Sequence, residues 1–419
     1  MLPYNAWLNA STDPGLPVHH PSAAGRYRSY GYGPGGRQLS AGFATLVGGP
    51  TMEIEERTPG SSIPFRRATT FRTTQLQTTG PQAMTAAAQN VDVVINGSGY
   101  VYGIDLFVSA VAAENAAAVA YAEDAPWSAI DSIVFRDVNG ELDNLSGFHQ
   151  RLLNLYGAWR RNLETGSADV SVFSLVAGAG ADGGTFAFHL FVPVGLNRRT
   201  LLGILGNQDR AQSYSLRSDM AASGSVYTTA PTTLPDVTIQ RMYENYAVPA
   251  PSNAAGAQQQ QFPDDFGVIH YQTQSVNPSP PASGATVNHY LARLGNTIRL
   301  LVLVLRSTSG SRATAEATLP TRIAFQLGDT PLFVETAAYR RMLMFDRYGF
   351  DAPDGVLVYD FMTDIIGHAG DELGSDYLFT NGLVNAQFQI TYPAGYGAGS
   401  SLTVLTDDLQ IPPDVDIYS

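Results

Sequence analysis

The sequence predicts an all-β fold made of two eight-stranded sandwiches in tandem, each interrupted once by a short helix. Three observations lead there. A period of two recurs along the chain, as where Ala386, Phe388, Ile390 and Tyr392 alternate with Gln387, Gln389 and Thr391, which is the pattern of a half-buried strand. Only two stretches, 148–161 and 336–348, carry a clear helical stripe. The segments around those two helices also follow one another in the same order, at a nearly constant offset.

Residues 1–65 read as an extended N-terminal arm. They are dense in Gly, Pro, Ser and Tyr, poor in aliphatic residues and without a sustained period, so they cannot offset their own chain entropy by burial. Residues 66–248 form the first body. An apolar strand at 99–111 leads to a second at 132–136, then a turn, then a helix on which Phe148, Leu152, Leu155 and Trp159 share one face. Phe186, Phe188, Leu190 and Val192 alternate next, and strands follow near 213–220 and 236–243. Residues 249–263, with Pro249, Pro251 and four successive glutamines at 258–261, read as a linker.

Residues 264–419 form the second body and repeat the order. Strands at 295–305 and 322–326 precede a helix that ends Arg-Tyr-Gly where the first ends Leu-Tyr-Gly, and strands near 355–362, 386–392 and 401–411 follow. Gly99 and Gly295 are 196 residues apart, Ile133 and Ile323 190, Gly157 and Gly349 192. Asn-Gly pairs at 96–97, 139–140 and 381–382 mark tight turns. Sandwiches of this rhythm, present twice, make a double jelly roll.

Composition narrows the chemistry. The 419 residues include 24 basic and 37 acidic side chains, a net charge of −13, and charged residues are 15% where about 25% is usual. Every basic residue is Arg; there is no Lys and no Cys. Disulfides, thiol catalysis, Cys-ligated zinc, Schiff-base lysine and a P-loop lysine are therefore excluded. An acidic chain without a long basic run would repel phosphates, so no direct nucleic-acid binding is expected. The most apolar run, 298–305, is eight residues with Arg299 inside it, far below the ~20 of a membrane helix. No secretory signal opens the chain, which reads as soluble.

Individual motifs point away from catalysis, metals and cofactors. Gly178, Gly180 and Gly183 match G-x-G-x-x-G, but a strand follows them, whereas a dinucleotide site needs a helix N-terminus there. Asp364, His368, Asp371, Glu372 and Asp376 form an acidic cluster with one imidazole, read as a solvated loop, and His19-His20 has no partner nearby. Asp137, Asn139 and Gly140 make a hairpin turn rather than a calcium loop, since Gly stands at the fourth position and not the sixth. His189 and His270 are too isolated for a cupin-type metal site. The Arg pairs at 66–67, 160–161, 198–199 and 340–341 read as salt-bridge partners.

The stretch 99–159 carries a resemblance. A Gly-aromatic-Val strand runs into 108–112, then come a small-residue loop at 114–118, Pro126-Trp127, Ile133-Val134-Phe135, Asp137-Val138-Asn139-Gly140 and Ser146-Gly147-Phe148-His149. Phe191-Val192-Pro193, the run from Gly328 to Phe333 and residues 355–360 continue it. In this ordered pattern, over about 66–413, the chain resembles the double jelly-roll major capsid proteins of tectivirus-type phages. The resemblance implies a structural protein and no enzyme: the major capsid subunit of an icosahedral, internal-membrane phage, made in the host cytoplasm and located in the virion. It also implies a homotrimeric, pseudo-hexameric capsomer that meets neighbouring capsomers, penton and other minor capsid proteins. The alternative of another class is a jelly-roll virion spike or carbohydrate-binding protein. Within the arm, Leu2, Tyr4, Trp7, Leu8, Arg26, Arg28 and Tyr30 are the candidate assembly residues. Their aromatic rings favour interfaces, and their positive charge suits a neighbouring subunit or the internal membrane.

Overall fold

Among the described residues sixteen principal strands, eight in each half, build the two rolls. In the first half they are β1 (Phe71–Gln75), β2 (Asp92–Ile95), β3 (Tyr100–Val111), β4 (Ile130–Arg136), β5 (Glu141–Leu145), β6 (Phe186–Pro193), β7 (Tyr214–Met220) and β8 (Asp236–Tyr246). In the second they are β9 (Ile269–Val276), β10 (Thr286–Tyr290), β11 (Thr297–Arg306), β12 (Arg322–Leu327), β13 (Thr330–Glu335), β14 (Val356–Asp360), β15 (Ala386–Thr391) and β16 (Ser401–Gln410). Helix α1 (Gly147–Tyr156) follows β5, and helix α2 (Ala337–Tyr348) follows β13. The structure is a computed structural model that describes residues 43–46, 49–52, 62–114, 117–159, 171–180, 182–198, 200–209, 214–263, 267–277, 281–312, 318–362 and 376–412. Residues 1–61 and 62–419 are separate compact units. Of the first, the described part is an antiparallel hairpin, Phe43–Leu46 with Gly49–Met52.

Strand order shows the duplication directly. The first half pairs β1-β8-β3-β6 in one sheet and β2-β7-β4-β5 in the other; the second pairs β9-β16-β11-β14 and β10-β15-β12-β13. Adding eight to each label converts one half into the other. Even an irregularity is kept. Between β3 and β8 the register skips Tyr102, and between β11 and β16 it skips Arg299, at the same point of the equivalent strand pairs. The architecture is a double jelly roll.

Each helix starts and stops for local reasons. The Ser146 hydroxyl accepts a hydrogen bond from the His149 amide, and Thr336 accepts one from the Tyr339 amide, so both helices are capped at the same position. Gly349 ends α2 with φ of 76°, a left-handed conformation that a Cβ would strain. Helix α1 ends at Tyr156, five residues before the end that its sequence stripe predicts.

Three apolar clusters hold the fold. Ile104, Leu106, Val108, Phe188, Leu190 and Ile239 fill the first sandwich; Leu301, Leu303, Leu305, Phe325, Phe388 and Ile390 fill the second. The third lies between the rolls and includes Leu152, Leu155 and Tyr156 of α1, Tyr348 of α2, and Leu300, Val302 and Val304 of β11. Strand β11 is thus buried on both faces, which explains its unbroken apolar run; each such side chain contributes about 1.5–3 kcal/mol. The Tyr-Gly repeat that ends both helices also meets itself here, with the Tyr156 and Tyr348 rings edge to face at 5.0 Å.

The 249–263 segment is tied down. The Ile63 amide donates to the Gln258 carbonyl at 2.8 Å and the Gln260 amide donates back to the Ile63 carbonyl at 2.9 Å. The Gln261 amide group donates to the Pro249 carbonyl at 3.0 Å, and the Tyr100 hydroxyl donates to the Gln261 carbonyl at 2.7 Å. The glutamines therefore serve as backbone and side-chain partners. Among the described residues no helix is long and apolar enough to cross a membrane.

Candidate assembly surface

The two rolls are joined by a continuous sheet. Strand β5 of the first pairs in parallel with β9 of the second, Asp143 opposite Gln272 and Asn144 opposite Thr273, so a nine-stranded sheet crosses the boundary. Behind that pairing lies a buried polar network. The Asp407 carboxylate accepts from His270 Nε2 at 2.8 Å, Arg299 Nη1 at 3.1 Å and Gln272 Nε2 at 3.1 Å. Arg299 also donates to the Gly157 carbonyl at the end of α1, at 2.8 Å, and Gln150 on α1 donates to Gln272 at 2.8 Å. Burial alone would raise the Asp407 pKa, but the His270 and Arg299 charges hold it down to about 2. Asp143 beside it is the opposite case. Burial, then the Asp407 charge, push its carboxyl well above the usual range, and neither of its oxygens has a protein hydrogen-bond partner.

Among the described residues the equivalents of these seam elements are exposed, β1 in the first roll and β13 and α2 in the second. Strand β13, the counterpart of β5, is an edge strand with Leu332 and Val334 exposed. Strand β1, the counterpart of β9, is an edge strand exposed along its whole length. Counted from the helix caps, Met342 and Phe345 of α2 stand where Leu152 and Leu155 stand in α1. Leu152 and Leu155 are 0% and 2% exposed; Met342 and Phe345 are 56% and 52% exposed. Tyr339 adds a third large exposed side chain one turn earlier. An apolar helix stripe next to an unpaired sheet edge is a surface built to be covered.

The residues singled out in the sequence fall as follows. Leu2, Tyr4, Trp7, Leu8, Arg26, Arg28 and Tyr30 lie outside the described residues, as do His19, His20, Arg160, Arg161, Asp364, His368, Asp371 and Glu372. The glycines at 178–183 sit in a hairpin connection ahead of β6, where the Gly184 amide donates to the Val176 carbonyl at 2.8 Å. Asp137 Oδ1 accepts from the Asn139 and Gly140 amides at 2.7 and 2.9 Å, which makes the hairpin turn. His189 pairs with Asp105 at 2.7 Å and His270 with Asp407, each on its own roll. Arg198 pairs with Glu244 at 2.7 Å and Arg340 with Glu335 at 2.6 Å. Among the described residues no group of three or more His, Asp or Glu is placed to hold a metal ion. The seam residues Asp143, Gln150, Gln272 and Asp407 have no sequence signal of their own; Arg299 had one, as the lone charge in the most apolar run.

No family model matches the sequence, and no curated protein sequence matches it. Solved structures do. The STIV MCP, from the Sulfolobus Turreted Icosahedral Virus, is similar with a TM-score of 0.56 and 13% identity, over 82% of this chain and 97% of that one. PBCV-1 VP54, fitted into a reconstruction of the virophage Sputnik, is similar with a TM-score of 0.57 and 12% identity, over 81% of this chain and 93% of that one. The Faustovirus major capsid protein is similar with a TM-score of 0.50 and 10% identity, over 84% and 92%. At these identities the likeness establishes the fold: this chain has the double jelly-roll architecture of viral capsid proteins.

Proposed function

We propose that the chain is a major capsid protein, the repeating structural subunit of an icosahedral virus shell, and that it works by self-association rather than catalysis. The observation that carries this reading is the seam. One roll already joins the next within the chain through β5, β9 and α1, and the equivalent β13, β1 and α2 are exposed among the described residues. A surface that meets a different surface of an identical copy is heterologous, and such contacts close into rings when their rotation allows. Three two-roll chains give six similar wedges, a pseudo-hexameric tile for neighbouring capsomers, penton and minor capsid proteins to meet. The sequence pattern over 99–159 supports a more specific reading, the shell of a tectivirus-type phage with an internal membrane, with the 1–65 arm on its inner side.

Light scattering and negative-stain imaging of the purified protein test this. The expected species is a trimer of 44.8 kDa chains with a hexagonal outline. A monomer at micromolar concentration, with no trimer in assembled particles, overturns it. Deleting residues 2–60 tests the arm separately: trimers should still form but fail to close into shells.

A further inference from the structure

The exposed β13 and β1 edges can be placed against each other residue by residue, because the internal seam supplies the pattern. In that seam β5 meets β9 at Asp143–Gln272 and Asn144–Thr273. The caps at Ser146 and Thr336 fix the equivalence of β5 and β13, so that Phe333 stands for Asp143 and Val334 for Asn144. For β1 and β9 the equivalence runs through their pairing with β8 and β16. Gln272 pairs with Asp407 and Thr273 with Thr406; Thr73 pairs with Glu244 and Thr74 with Tyr243. The shared register skip aligns Asp407 with Glu244, since they pair with Leu300 and Gly103, the residues that follow the skipped Arg299 and Tyr102. Thr73 therefore stands for Gln272 and Thr74 for Thr273.

We infer that β13 of one copy pairs in parallel with β1 of the next, Phe333 opposite Thr73 and Val334 opposite Thr74, with the α2 stripe packed on the neighbour's outer β3–β8 face. The chemistry of the two sides agrees with this occupant. In the internal seam Leu152 and Leu155 share one apolar cluster with Leu300, Val302 and Leu405. On the equivalent outer face of the first roll, Phe107 and Met242 are half-buried and Phe173 is 65% exposed, its ring 5.7 Å from that of Phe107. By the same alignment Gly103, Asp105 and Met242 stand for Leu300, Val302 and Leu405, so Tyr339, Met342 and Phe345 meet a mixed face of Phe107, Phe173, Met242 and the Asp105–His189 pair, while β13 and β1 each gain a partner along an edge that is unpaired among the described residues. The inference rests on the capsid-subunit reading and adds the register to it.

Because the chain has no Cys, the register can be tested by disulfide trapping. Paired strands lie about 4.8 Å apart, within the span of roughly 4.4–6.8 Å that a disulfide bridges between Cα atoms. The double variant Thr74→Cys/Val334→Cys, oxidised at a concentration where the wild type is associated, is expected to run mainly as covalent trimer on a non-reducing gel. Each single variant should give no ladder, and Asn144→Cys/Thr273→Cys, across the internal seam, should oxidise without a change in mass. An associated protein whose double variant stays uncrosslinked, while the internal control oxidises, overturns the register and leaves the capsid reading standing. A monomeric protein that does not crosslink overturns both. A ladder that runs past three chains supports the pairing and rejects closure at three.

Discussion

Helices α1 and α2 occupy the same place in two rolls of the same topology, yet one is buried and the other shows a stripe of large apolar side chains to solvent. The backbone does not set that difference; the presence of a second roll over α1 does. The charged groups at equivalent positions tell the same story. Asp407 is closed in with Arg299 and His270, where no side chain of the three reaches solvent, whereas its counterpart Glu244 is paired with Arg198, whose side chain is half exposed. A joint that never opens can hold a dry ion pair in place. A joint that must form between separate molecules does better with apolar side chains and charges that water can reach in the free state.

The largest contrast should come from the two arginines. Arg299→Met leaves Asp407 without its guanidinium partner in a water-free site, and a cost of about 3–5 kcal/mol is expected in denaturant unfolding. Arg198→Met removes the half-exposed partner of Glu244 and should cost about 1 kcal/mol or less. Equal losses would mean that the two joints are not physically different.

A second contrast uses the helices. Leu152→Ala opens a cavity in the cluster between the rolls and should destabilise the chain by about 2–5 kcal/mol. Met342→Ala should shift the stability of the separated chain by less than about 0.5 kcal/mol, because that side chain is already in water. Its effect should appear as weaker association in sedimentation at equal protein concentration. Loss of folding in the Met342 variant, with association intact, would reverse the assignment.

The smallest effect concerns pH. Burial, helped by the nearby Asp407 charge, raises the Asp143 carboxyl in the folded state, while the unfolded value is about 3.9. A raised carboxyl contributes stability that is complete below the unfolded value and is lost as pH rises through the folded one. Asp407, His270 and Arg299 are the charged groups of the network it faces. Unfolding midpoints of the wild type should therefore decline as pH rises above about 4, relative to those of Asp143→Asn, which keeps the neutral form throughout. Parallel profiles for the two proteins would remove Asp143 from the pH response.

How far the fold could be read in the sequence depended on how much of each strand faces apolar matter. Strands β3, β6, β11 and β15 show their period or their unbroken run because one or both faces are packed. Strand β1, Phe-Arg-Thr-Thr-Gln, has no buried side chain to leave a pattern, and β2 is four residues with only Val93 and Ile95 inward. Strand β5 reads as part of a turn, since Glu141, Asp143 and Asn144 break its apolar face; Asp143 is tolerated there because β9 covers it. The seam itself is hidden for a related reason. Its hydrogen-bonded partners lie more than a hundred residues apart and look in isolation like ordinary surface groups, so only folding brings them together.

The tethered 249–263 segment changes how the molecule should respond to dilution. It ties the chain that leads into the second roll to the first roll through backbone and glutamine hydrogen bonds, so the internal joint forms at an effective concentration that does not depend on how many molecules are present, on the order of millimolar for a short linker. A joint between chains has no such protection and follows mass action. If the chain associates as proposed, dilution should open only the joints between chains and leave the two-roll chain intact. In the trimer proposed above, three of the six joints between rolls would form within chains and three between them.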